Sequence, residues 1–69
     1  LWPSVEQAVI LYDLSLKGHI SGILEYLEQL EEQDRQLRLF AEKVRQLADE
    51  FETKKIGELV RPYTGIVEP

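Results

Sequence analysis

The chain has 69 residues, 43% of them hydrophobic and 30% charged, with no Cys and no Met. That is one small domain at most, too apolar for a disordered tail and without disulfides or thiolate metal sites to support a small core. Thirteen acids against eight bases give a net charge of −5, which argues against binding nucleic acid by counterion displacement and against docking on an anionic membrane surface.

Apolar runs such as Ala8-Val9-Ile10-Leu11-Tyr12 fall far short of the roughly 20 residues that span a bilayer, so no membrane insertion is expected. No basic region precedes an apolar stretch at the N-terminus, so no signal peptide is visible. The absence of Cys fits a cytoplasmic location. A start at Leu1, with no Met, reads as a segment of a longer multidomain protein.

The first helix is expected from about Val5 to Lys17. Ser4 followed by Gln7 is a capping-box pattern, in which the Ser side chain accepts from an orphan N–H and the Gln reaches back. Val5, Ala8, Val9, Tyr12 and Leu16 follow at helical spacing. Ile10, Leu11 and Leu14 widen the apolar face, so burial on more than one side is expected. Lys17 and Gly18 supply a cation at the negative end and a residue that accepts the left-handed conformation.

The second helix begins near Ile20, with His19 or Ser21 as its cap. Ile20, Ile23, Leu24, Leu27 and Leu30 make one stripe, with Glu25, Glu28, Glu31 and Glu32 largely away from it. The short turn forces the first two helices to pack antiparallel.

No Gly or Pro occurs between Ile23 and Ile56, and Ile23, Leu30, Leu37, Val44 and Phe51 recur every seven residues. One reading is a single long helix that dimerises as an acidic coiled coil. The other is a break near Gln33–Asp34, where Glu31 to Gln36 contains no apolar residue and Asp34 is a good N-cap. The break is expected, because a helix of more than about 30 residues is unusual in so small a domain.

The third helix keeps Leu37, Phe40, Ala41, Val44, Leu47, Ala48 and Phe51 on one apolar face, with Arg38 and Glu42, then Arg45 and Asp49, placed to pair on the wet face. The fourth is short, with Thr53 as its expected cap and Ile56, Leu59, Val60 and Tyr63 inward. Gly57 weakens it and Pro62 closes it. Residues 64–69 read as an extended tail. The expected fold is all-α, a small four-helix domain of two antiparallel helical hairpins with its core in about residues 4–63.

His19 is the only histidine, and a neutral imidazole is a candidate phosphoacceptor. A phosphotransfer histidine belongs mid-helix with basic residues a turn away. His19 instead follows Gly18 at a helix junction, which favours a capping role. The acids of the second helix lack the convergent ligands or acidic loop of a metal site and read as a solvated face. No nucleophile motif and no glycine-rich phosphate loop is present. No catalytic residue, metal or cofactor is therefore expected. Trp2, Tyr12, Tyr26 and Tyr63 are the candidate contact residues, because aromatics dominate interaction hot spots; as an alternative they fill gaps at the edge of the core.

Ala8 to Leu14, Lys17 to Ile23, Leu27-Glu28-Gln29-Leu30, Phe40 to Ala48, Phe51 and Ile56 to Tyr63 together carry a resemblance. They resemble the C-terminal helical region that follows receiver domains in many bacterial hybrid sensor histidine kinases and related two-component regulators. The resemblance runs from about Ser4 to Tyr63. That family usually has an acid where this chain has His19, which supports the capping role, and it tends to carry proline near Arg35 and Leu39, which this chain lacks. The resemblance implies a non-catalytic accessory domain of a phosphorelay protein, with the kinase chemistry in the parent's other domains. Its implied partners are receiver or kinase domains of the same polypeptide, or a second copy in a homodimer. A small histidine phosphotransfer domain using His19 and a coiled-coil dimerisation segment are the alternatives.

Overall fold

The structure, a computed structural model, describes residues 3–65; Trp2 and residues 66–69 lie outside the described residues. The first helix, α1 (Val5–Leu16), starts on a complete capping box. The Gln7 N–H donates to Ser4 Oγ at 3.2 Å, and the Ser4 N–H donates to Gln7 Oε1 at 2.9 Å. Two orphan donors of the first turn are thereby satisfied.

α1 ends in a tight left-handed turn. Gly18 has φ of 64°, and the N–H groups of Gly18 and His19 donate back to the carbonyls of Ser15 and Leu14 at 3.1 and 3.0 Å. This nested pair is the Schellman pattern, which needs positive φ at the Gly18 position. The second helix, α2 (Ile20–Gln33), starts one residue later with His19 as its N-cap.

The expected break between the middle helices is present. Asp34 is extended (φ −149°, ψ 104°) and ends α2. Its carboxylate accepts the Gln36 N–H at 2.9 Å, which starts a 3-10 turn over Arg35–Leu37 and then α3 (Arg38–Asp49). The continuous coiled coil is thus excluded as the fold of this chain. The polar gap from Glu31 to Gln36 leaves nothing to hold a longer helix against a neighbour.

A second Schellman turn ends α3. Phe51 and Glu52 donate to the carbonyls of Ala48 and Leu47 at 3.0 and 2.9 Å, and Phe51 holds φ of 58°. Phe51 therefore leaves the helix and points outward, 77% exposed, where the seven-residue pattern had put it inward. The fourth helix, α4 (Thr53–Val60), has Glu52 at its N-cap position and no side-chain cap bond. Thr53 is its first residue rather than its cap. Pro62 tightens the chain into a 3-10 turn, Arg61–Tyr63, as expected of a residue without an N–H. Thr64, read as tail, is instead buried and donates through Oγ to the Arg61 carbonyl at 2.7 Å.

Among the described residues the fold is all-α. The two sequential hairpins pack together, with α1 mainly against α4 and α2 mainly against α3. Leu11, Ile23, Leu27, Leu30, Leu37, Val44, Ile56 and Val60 form the buried centre. Arg45 reaches back from α3 to Glu31 of α2 at 3.3 Å, and not along its own helix to Asp49 as expected. The Arg38–Glu42 pair forms as expected, at 3.2 Å.

α1 buries a different face from the one its spacing suggested. Ala8, Leu11 and Ser15 face the core, while Val5, Val9 and Leu16 are 58%, 41% and 69% exposed. The small residues decide this. Ala8 and Ser15 let α4 come close, and Gly57 of α4 completes the approach, since a Cβ there would meet Ser15 Oγ at 3.0 Å and Tyr12 Cε1 at 3.6 Å. Larger side chains on that side would hold the helices apart.

Candidate interaction surface

α1 carries a second apolar stripe on its outer side. At about 100° per residue, Val5, Val9, Tyr12 and Leu16 fall within a narrow arc. Three of them are exposed, and Tyr12 is half-buried. Isolated exposed aliphatic residues are ordinary, but a line of them along one helix is the mark of a contact face.

The stripe borders a groove of about 210 Å³ between α1 and α4. Tyr12 and Leu16 form one wall, Thr53, Lys54 and Arg61 the other, and Gly57 lies at the seam. The groove opens near the turns of Gly18 and Phe51, because the alternation of helix directions puts the end of α1 beside the start of α4. Lys54 has no ion pair among the described residues, whereas the neighbouring Lys17 and Lys55 pair with Asp13 at 2.9 Å and Glu52 at 3.9 Å.

His19 sits at this end of the bundle as a helix cap. Its Nδ1 accepts the Gly22 N–H at 2.8 Å. A side chain at Gly22 would run into the imidazole ring, so the Gly18, His19 and Gly22 triplet works as one capping unit. The ring is committed through the nitrogen that accepts, and the position lies at a helix start. Among the described residues, no group of His, Asp and Glu is arranged to hold a metal ion. Glu28, Glu31 and Glu32 line an open depression with Arg35, and Glu31 pairs with Arg45 at 3.3 Å.

The aromatic residues singled out in the sequence are not brought to one surface. Tyr12, Tyr26 and Tyr63 are all half-buried and pack against the core, and of the three Tyr12 lines the groove. Burial holds the Tyr26 phenol above its ordinary value, and the Glu6 carboxylate adds to the effect. Trp2 lies outside the described residues. The residues that the sequence reading missed as exposed groups include Val5, Val9, Ile10, Leu16 and Phe51. The spacing signal for the α1 residues was present, but it was assigned to the core.

No helix among the described residues is long and apolar enough to cross a membrane. Comparison of the chain with protein-family models, with curated proteins and with solved structures finds no match.

Proposed function

We propose that the chain is a non-catalytic accessory domain of a bacterial two-component hybrid sensor histidine kinase and mediates contacts between domains or protomers. The observation that carries the interaction role is the stripe of exposed Val5, Val9 and Leu16, with half-buried Tyr12 among them, beside the α1–α4 groove. A helix of a small domain gains nothing in monomer stability from apolar side chains left in water, whereas a partner surface gains from covering them. The two-component context is supported by the sequence resemblance described above.

His19 serves this reading as a cap. A phosphoacceptor needs a nucleophilic nitrogen presented to an incoming phosphoryl group with cations nearby. Here Nδ1 is occupied by the Gly22 N–H, and Lys17, two residues before His19 in the chain, is held by Asp13.

The test uses the chain with a phosphorylated receiver domain. The expected outcome is no phosphate on His19, together with amide shifts confined to α1 and the start of α4 as the receiver is added. Acid-labile phosphate on His19 overturns the non-catalytic role. Shifts confined to the acidic face of α2 overturn the assigned surface.

A further inference from the structure

The His19 cap depends on a proton. Its Nδ1 accepts the Gly22 N–H at 2.8 Å, and an imidazole nitrogen accepts only when it carries no hydrogen. The single ring hydrogen of the neutral side chain is therefore on Nε2. Protonation of the ring puts an N–H at both positions. Nδ1 would then meet the Gly22 N–H donor to donor.

We infer that His19 is a pH-operated latch on the first turn of α2, closed while the imidazole is neutral and released when it is protonated. The latch works whether or not α1 meets a partner. A free imidazole titrates near about pH 6.5, so the range it reads runs from neutral to mildly acidic.

The local sequence is built around this one bond. A Cβ at Gly22 would run into Nδ1 and would lie 3.2 Å from Leu14 Cδ2, so the close approach of ring and amide needs glycine there. α2 has no acidic residue in its first turn. A positive ring at the helix start therefore meets the positive end of the peptide dipoles with no offset from that turn. His19 is exposed, so solvent reaches the ring directly. Ile23, one turn on, is fully buried, and its N–H donates to the His19 carbonyl at 3.0 Å. Release therefore loosens Ile20 to Gly22 and leaves the bundle folded.

The charged groups at this end of the bundle come from all four helices. α1 brings Asp13 and Lys17, paired at 2.9 Å, and α2 brings Glu25. The end of α3 brings Asp49 and Glu50. The start of α4 brings Lys54 and Lys55, with Glu52 just before it and paired with Lys55 at 3.9 Å. The carboxylates attract a charged ring, but all these groups are exposed except half-buried Glu52, and water and salt screen them. The Gly22 N–H acts at hydrogen-bond distance and is not screened in this way.

Ring-nitrogen NMR of His19 and the stability of His19→Asn test the latch. At about pH 7.5 the ring is expected as the neutral tautomer with hydrogen on Nε2. At about pH 5.5 both nitrogens are expected to be protonated. The amide signals of Ile20 to Gly22 are expected to move with the ring while those of Phe40 to Ala48 stay in place. Asparagine also accepts at an N-cap but does not titrate. The folded-to-unfolded ratio of the wild type relative to His19→Asn is therefore expected to drop about fivefold between those two pH values, the size of a lost cap. His19→Ala has no cap at either pH, so it is expected to be less stable than the wild type at the higher pH and no less stable at the lower. Hydrogen on Nδ1 of the neutral ring overturns the inference. So does a ratio to His19→Asn that does not change with pH, or an alanine chain weaker than the wild type by the same factor at both.

Discussion

Gly18 and Phe51 occupy the same place in two turns of the same pattern, both at one end of the bundle and both in the left-handed region, with φ of 64° and 58°. Only Gly18 is suited to it. A side chain with a Cβ costs about 1 kcal/mol in that conformation, and Phe51 recovers little by packing because it is largely exposed. Phe51→Gly is expected to raise unfolding free energy by about 1 kcal/mol. Gly18→Ala is expected to lower it by about the same amount, from backbone strain alone, since nothing lies within 4 Å of a Cβ at that position. Urea denaturation of the two variants measures both. A loss of stability in Phe51→Gly would mean that the ring packs against the bundle.

The cap of α2 allows a similar separation. His19→Ala removes the acceptor for the Gly22 N–H and is expected to cost about 1 kcal/mol. His19→Asp keeps an acceptor and adds a negative charge at the positive end of the helix, so it is expected to match or exceed the wild type. Thermal unfolding of the three chains gives the order. Equal stability of the alanine and wild-type chains would show that the bond contributes nothing.

Ser15 and Gly57 are coupled across the α1–α4 seam. The Ser15 hydroxyl is fixed by donating to the Tyr12 carbonyl at 2.7 Å, and it meets any Cβ placed at Gly57 at 3.0 Å. Gly57→Ala is therefore expected to yield less than the roughly 1 kcal/mol that alanine gains in a helix. In a Ser15→Ala background the same change is expected to give that gain in full. A double-mutant cycle by chemical denaturation measures the coupling, and additive effects would show that the two helices have room to spare.

Much of the fold was legible in the sequence because several signals agreed. Ser4 with Gln7, Lys17 with Gly18, and the polar gap before Asp34 each marked a helix end by a specific hydrogen-bonding need. The orientation of α1 was not legible. Val5, Ala8, Val9, Ile10, Leu11, Tyr12 and Leu14 leave it apolar nearly all round, so periodicity alone does not choose the inner face. Close approach to Gly57 chooses it, and that is a property of two helices together. Phe51 was misplaced for a related reason. It continues the seven-residue pattern of α3, but the helix ends at Asp49 and Phe51 itself is the left-handed residue of the turn, where no Gly marks it. The candidate surface was hidden in the same way, since Val5, Val9 and Leu16 had been counted as core and only Tyr12 had been singled out as a contact residue.

Tyr26 gives the chain an alkaline dependence of known sign. Burial, with Glu6 adding, raises its pKa in the fold above the ordinary tyrosine value of about 10. The folded state therefore favours the neutral phenol. The associated stability is fully present below the unfolded pKa of about 10 and is lost as pH rises through the folded value. Tyr26→Phe is expected to flatten the fall in stability above about pH 10. The pH dependence of urea unfolding for both chains checks it, and parallel curves would remove Tyr26 as the cause.

The account turns on the outer face of α1, and amide chemical shifts followed as a phosphorylated receiver domain is added test it most directly. The expected result is that shifts change along Val5 to Leu16 and at the neighbouring start of α4, while α2, α3 and the Glu28–Glu32 surface stay fixed. Shifts that centre on α2 or α3, or a spectrum that does not change with added receiver domain, would contradict it.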